Sequence, residues 1–216
     1  VFGYAHVPDF KKHQRKINET DLPGADARHA QAQAIADALT AAGYVRIGLD
    51  HFAKAHDTMA RAQAEGRLRR NFQGYTTDPC EALLGFGASA IGRLPHGYVQ
   101  NEVVLGRYAE RVMRGELATA KGYRLSADDR LRAELIERLM CDFTVDIADV
   151  CARHGETPAV LAPALARLHV LADDGIVRLE GPRVVVAEHA RLLVRTVAAA
   201  FDAYLADAER TFSRAV

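Results

Sequence analysis

One uninterrupted helical period, residues 26–42, lies between two short extended runs, residues 1–7 and 44–49, and this order constrains the fold more than any other feature. Within the helix, Ile35, Leu39 and Ala42 share one face. Gly43 follows directly, and glycine most readily takes the left-handed conformation that closes a helix. Val45, Ile47 and Leu49 form a short apolar run of the kind buried in a parallel strand. Strand, helix and parallel strand together predict an α/β fold, a (β/α) barrel or a doubly wound sheet. Asp50, His51 and Phe52 then fall just past the carboxyl end of the second strand, the edge where such barrels place chemistry. Residues 57–65 predict a short helix.

The pattern changes near residue 100. Residues 101–114 predict an amphipathic helix carrying Val104, Leu105, Tyr108 and Val112. Ser126 with Asp129 predicts a capping box in which Asp replaces the usual Glu. Helices at residues 127–140, 147–154 and 158–173 lead into a hairpin over residues 175–186, which is the order of a winged helix. A last helix, residues 189–208, would present Leu192, Leu193, Val197, Phe201 and Leu205 to a packing partner. A winged helix also raises DNA binding, which needs Lys, Arg, Asn or Gln on the recognition helix. That helix offers only Arg167 and His169, and Asp173 and Asp174 at its end repel phosphate, so a packing domain with no nucleic-acid partner is expected.

Charge and cysteine content narrow the function further. The 28 basic and 28 acidic residues cancel, so no global field draws the chain to nucleic acid or an anionic membrane, and an anionic substrate must be captured locally. With 49% hydrophobic and 26% charged residues, a folded globular protein is expected rather than disorder. No apolar run approaches the ~20 residues of a membrane span, and no signal-peptide pattern is visible. The three cysteines, Cys80, Cys141 and Cys151, are an odd number that suits a reducing, cytoplasmic compartment. Their separations of 61 and 10 residues match no local zinc or cluster spacing. His51 and His56 lack a third ligand at a sensible distance, so no metal site is expected, and both read as structural or surface residues.

Two adjacent segments carry the strongest functional signal. Asn71-Phe72-Gln73-Gly74-Tyr75-Thr76-Thr77 combines an aromatic residue, an amide and hydroxyls in one turn-forming stretch. Leu83-Leu84-Gly85-Phe86-Gly87-Ala88-Ser89-Ala90-Ile91 then places two glycines where backbone can approach a ligand closely, although ordinary tight turns use the same spacing. Strand alternation would put Gly85, Gly87, Ser89 and Ile91 on one face, with the glycines clearing space that Ile91 closes. The basic run Arg67, Arg69 and Arg70 precedes the first segment, either as a solvated face or as a clamp for substrate carboxylates.

These segments resemble the oxygen-independent coproporphyrinogen III oxidases, radical S-adenosylmethionine enzymes of heme and porphyrin biosynthesis. Phe2-Gly3-Tyr4-Ala5-His6-Val7-Pro8, Gln14-Arg15-Lys16-Ile17, Asp21-Leu22-Pro23, Gly48-Leu49-Asp50-His51-Phe52-Ala53 and Phe212-Ser213-Arg214 continue the resemblance in family order. It covers essentially the whole chain but only the carboxyl-terminal half of a typical member. The family's Cys-x3-Cys-x2-Cys run, which holds a 4Fe-4S cluster, has no counterpart here. Because the sequence starts at Val1 inside an extended run, it reads as a portion of a longer enzyme whose amino-terminal half supplies the cluster ligands.

The resemblance implies an oxidoreductase in which S-adenosylmethionine yields a 5′-deoxyadenosyl radical that takes hydrogen from a propionate of coproporphyrinogen III. Decarboxylation to a vinyl group follows, twice per substrate, giving protoporphyrinogen IX. It also implies that residues 1–100 end an incomplete radical S-adenosylmethionine barrel and that residues 101–216 form a mostly helical, winged-helix-like cap. Ala5 and Ile91 match positions that contact S-adenosylmethionine, with Gly85 and Gly87 beside them, and Phe72 and Gln73 match positions needed for activity. Arg70 and His6 are the substrate candidates. Packing alternatives stand beside each of these: strand packing for Ala5 and Ile91, a core aromatic for Phe72, a strand-edge histidine for His6. A heme-trafficking paralogue and a non-enzymatic interaction domain are the alternative functions.

Overall fold

The computed structural model describes residue 1 and residues 3–205. Phe2, the closing Phe212-Ser213-Arg214 and the end of the expected last helix, residues 206–208, lie outside the described residues. Two 3-10 turns, Lys12–Lys16 and Glu19–Asp21, precede helix α1, Ala25–Ala41. Gly43 follows α1 with φ +78° and donates its N–H to the Thr40 carbonyl, the close expected from the sequence.

The expected parallel strand is corrected by the pairing. β1, Tyr44–Ile47, is one arm of an antiparallel hairpin with β2, His51–Lys54, in the register Ile47 to His51. Gly48, at φ +54°, reverses the chain immediately after β1, so the nearest strand in sequence becomes the partner. Among the described residues of the 1–7 segment no strand forms; in place of a ladder, the buried Gln14 amide accepts from the Val7 N–H (2.6 Å) and donates to the Ala5 carbonyl (3.1 Å). All named strand pairs among the described residues are antiparallel.

Helix α2, Thr58–Ala64, is capped by Asp57, whose carboxylate accepts from the Met59 N–H at 2.8 Å. The hairpin of β3, Arg69–Asn71, and β4, Gly74–Thr76, comes next. A meander of β5, Ile91–Leu94, β6, Gly97–Asn101, and β7, Thr119–Arg124, brackets α3, Leu105–Met113. The helix expected over 101–114 therefore starts at Leu105, because Asn101 is held in β6, and the 100/101 division falls inside that strand.

The second half builds around α4, Ala127–Asp142, whose Leu131, Leu135 and Leu139 recur at one-turn spacing and are 0–1% exposed. β8, Thr144–Asp146, α5, Ile147–Arg153, a 3-10 turn at Pro158–Leu161 and α6, Ala162–Asp173, follow, with β9, Val177–Glu180, and β10, Arg183–Val186. The strands form one sheet in the order β8-β10-β9. Beyond it the expected long helix is a 3-10 segment, Glu188–Leu193, and a short α7, Val194–Ala199, which seat Val194, Val197 and Phe201 against α4 in one core.

The Ser126–Asp129 capping box forms as expected: Ser126 Oγ accepts from the Asp129 N–H (3.0 Å), and Asp129 accepts from the Ser126 N–H (2.8 Å). Asp129 also accepts from Tyr204 Oη at 2.8 Å. Burial pushes its carboxyl up, but the Ser126 backbone, Tyr204, the Ser126 hydroxyl and Tyr123 outweigh that and hold it below its ordinary value of 3.8. The sign follows from the lowered native value: the contribution is present in full above the unfolded value and disappears as pH falls through the native one. Asp129→Ala is expected to cost about 1–2 kcal/mol at neutral pH, with the difference shrinking in acid below the unfolded value. Denaturation midpoints across that acid range check it, and a constant difference overturns it.

Candidate functional site

The Gly48–Asp50 turn is gripped by side chains from three segments. Gln63 spans it, accepting from the Gly48 N–H (2.7 Å) and donating to the Arg46 carbonyl (2.9 Å). Tyr75 of β4 accepts from the Leu49 N–H (3.0 Å) through its hydroxyl and donates to the Met140 carbonyl of α4 (2.8 Å). Arg191 directs Nε (3.1 Å) and Nη2 (2.8 Å) at the Gly48 carbonyl, with its guanidinium 3.9 Å above the Phe143 ring. Burial pulls the Arg191 pKa down from its usual value and raises that of Tyr75, as expected for polar groups held in a packed junction.

This junction joins two of the stretches that resemble the family, Asn71–Thr77 and Gly48–Ala53. Tyr75 belongs to the first stretch and accepts from Leu49 of the second. Phe72 and Gln73 are the two-residue tip of the β3–β4 hairpin, both exposed, with the Gln73 N–H donating to Asn71 Oδ1 (2.8 Å). Phe72 is not a core aromatic; it is 55% exposed and meets Tyr98 of β6 edge to face at 5.2 Å. Of the basic run, Arg67 pairs with Glu65 and Arg69 with Glu137 (2.9 Å), while Arg70 lies 4.6 Å above the Tyr75 ring.

The glycine segment is a loop rather than the expected strand-like element, because Gly87 at φ +105° and Ser89 at φ +62° break the alternation. Asn101 Nδ2 ties it down by donating to the Gly85 (3.0 Å) and Gly87 (3.1 Å) carbonyls. A Cβ at Gly85 would stand 2.9 Å from the Ile91 backbone, so that glycine clears space for the chain itself. At Gly87 a Cβ would meet nothing within 4 Å, and backbone conformation is what requires glycine there.

Ala5 is exposed, its backbone held by Gln14. His6 lines a cleft of ≈ 330 Å³ with Tyr4, Arg28, Arg46 and Asp50, its Nε2 3.6 Å from Glu19. Among the described residues, no hydrogen bond or ring contact joins Ala5 or His6 to Ile91, Gly85 or Gly87. Ala5 and Ile91, the latter 36% exposed, nevertheless present apolar surface on restrained backbone, which fits contact with an adenosyl group. The cysteines do not fit a 4Fe-4S cluster. Cys80 is exposed, Cys141 and Cys151 are buried, and burial pushes the Cys141 thiol up to about 12, against the thiolate a cluster needs. Among the described residues no group of three His, Cys, Asp or Glu could hold a metal.

Sequence reasoning missed Gln14, Gln63, Tyr75 and Arg191 as organisers of the site. Tyr75 lies inside a quoted motif and was within reach, whereas Arg191 acts across 143 residues and leaves no local signal.

The family model described as "HemN C-terminal domain" matches residues 125–193. The chain is 62% identical over all 216 residues to an oxygen-independent coproporphyrinogen III oxidase of Bradyrhizobium diazoefficiens, covering 48% of that protein. It is 40% identical to one of Thermostichus vulcanus, covering 100% of this chain and 67% of the relative. Coproporphyrinogen III oxidase (HemN) from Escherichia coli, described as a radical SAM enzyme, superposes with a TM-score of 0.87 at 38% identity, over 94% of this chain and 47% of that one. The chain spans about half the length of the Bradyrhizobium and Escherichia coli proteins. Identity of this extent over the whole chain and the shared fold establish that the chain belongs to the oxygen-independent coproporphyrinogen III oxidase family and corresponds to the carboxyl-terminal portion of its members.

Proposed function

We propose that a full-length polypeptide carrying these residues decarboxylates two propionates of coproporphyrinogen III to vinyl groups without oxygen, giving protoporphyrinogen IX in heme and porphyrin biosynthesis, and acts in the cytoplasm. The observation that supports the reading is the Tyr75 junction, where the Asn71–Thr77 and Gly48–Ala53 stretches, both of which resemble the family, meet through one hydroxyl. S-adenosylmethionine, when bound, supplies the hydrogen-abstracting chemistry, and the cluster ligands come from outside these residues. In this reading Ala5 and Ile91 give apolar contact to the adenosyl group, Gly85 and Gly87 shape the loop leading to Ile91, and Phe72 and Gln73 reach cofactor or substrate from the hairpin tip. Arg70 and His6 serve propionate groups. Residues 1–100 complete the end of the barrel and residues 101–216 form the winged-helix-like cap, with β6 spanning the join.

Anaerobic reconstitution of the full-length polypeptide tests the reading: conversion of coproporphyrinogen III with consumption of S-adenosylmethionine is expected, and a cluster-loaded protein without turnover overturns it. Residues 1–216 alone are expected to bind no stoichiometric iron or sulfide and to be inactive, given the cysteine positions. Gln73→Ala in the full-length polypeptide is expected to lower kcat/KM roughly 5- to 150-fold, the cost of one buried hydrogen bond expressed in the transition state. Because Gln73 is exposed here, Tm should not move, and unchanged kinetics would return the amide to a turn-forming role.

A further inference from the structure

His51 opens β2, and its ring is held on two sides. Nδ1 lies 2.8 Å from Asp50 Oδ1, the ring meets Tyr75 edge to face at 5.2 Å, and Nε2 is 3.6 Å from where a Gly74 Cβ would stand. A Cβ at 74 would lie in ordinary contact with the imidazole, and it is the φ of +129° that favours glycine there. The His51 side chain is 34% exposed, and among the described residues Nε2 has no hydrogen-bond partner. Asp50, only 17% exposed, makes its one described side-chain hydrogen bond to His51.

The surroundings favour an anion. Arg70 covers the face of the same Tyr75 ring at 4.6 Å and has no acidic partner among the described residues, unlike Arg67 and Arg69. The hairpin tip Phe72-Gln73 adjoins Gly74, and the preceding turn is the one held by Gln63, Tyr75 and Arg191. A net charge of zero leaves capture of an anion to such local groups. An exposed ring nitrogen oriented by a half-buried carboxylate is a recurring way to present one defined hydrogen-bonding atom to a ligand.

We propose that His51 is a carboxylate-binding residue, its protonated Nε2–H donating to a propionate of the porphyrinogen, and that Asp50 is a positioning residue that fixes the ring through Nδ1. This rests on the porphyrinogen reading above, and the test separates the two. The probe is coproporphyrin III, the stable oxidised tetracarboxylate, titrated by fluorescence into the full-length polypeptide at mildly acidic pH. Its tetramethyl ester, which has the same ring and no anionic carboxylate, is the comparison.

His51→Phe keeps a flat ring against Tyr75 and is expected to weaken the tetracarboxylate roughly 10-fold or more while leaving the ester unchanged. His51→Gln, which retains a neutral donor, should recover part of the loss. Asp50→Asn should weaken binding less, and should add nothing in the His51→Phe background, because it acts through the ring. Thermal melts confirm that each variant is folded. Unchanged affinity of folded His51→Phe and His51→Gln, or equal losses for acid and ester, overturns the site while leaving the porphyrinogen reading intact. An additive Asp50→Asn overturns the positioning role. If the unsubstituted polypeptide binds neither probe, the porphyrinogen reading falls and the site with it.

Discussion

Gly48→Ala is expected to destabilise the protein by about 3–5 kcal/mol, far beyond an ordinary single substitution. Gly48 has φ +54°, where a side chain costs roughly 1–2 kcal/mol by itself. A Cβ at Gly48 would also stand inside the Tyr75 ring. That ring is 7% exposed and cannot swing into solvent, so it must shift within the core shared by Ile47, Ala60, Leu68 and Cys141. A shift large enough to clear a methyl group breaks the bonds from Leu49 N–H and to the Met140 carbonyl, each worth about 1–3 kcal/mol when left unmet in a buried place. For a chain of this size the loss corresponds to a fall in Tm of roughly 6–20 °C. A Gly48→Ala protein melting within a degree or two of its parent would show that the turn is not clamped.

Arg191→Ala is expected to cost about 3 kcal/mol, because two charge-assisted donors leave the Gly48 carbonyl at once and the stacking on Phe143 is lost. The Arg191 side chain is only 15% exposed, so water does not readily replace it, and its neighbour Glu188, at 3.6 Å, is too exposed to compensate. Arg191→Lys should fall between parent and alanine, since an ammonium cannot reproduce the two-pronged donation. Urea midpoints at constant m-value check the order. Combined with Gly48→Ala, the loss should be less than the sum, as both act on one turn. Strict additivity would mean that Arg191 and Tyr75 hold different things.

The residues that could be read correctly from the sequence are those whose signal is local. Helix α1 was legible within a residue at each end because Ile35, Leu39 and Ala42 repeat with the helix and Gly43 stops it. The Ser126–Asp129 box announced α4 because a capping box is complete within four residues. Strand pairing was not legible. Val45, Ile47 and Leu49 fit a parallel strand equally well, and the pairing with β2 depends on a reversal at Gly48 that side-chain pattern does not encode. The glycine segment misled for a related reason: alternation assumes extended backbone, and Gly87 and Ser89 leave that region.

What the sequence determined by itself is therefore helices α1, α2, α4 and α5 with their approximate ends, the wording of the two motif segments and, through that wording, the family. These are encoded within a few turns of chain, where spacing and residue type act directly on backbone conformation. Only the tertiary structure decided that Tyr75 of the first motif segment grips the Gly48–Asp50 turn, that Tyr75 and Arg191 join this turn to the helical second half, and that His51 and Arg70 both pack on the Tyr75 ring. Those contacts join residues as far as 143 positions apart, and their energy is realised only once burial has excluded water from the turn they share.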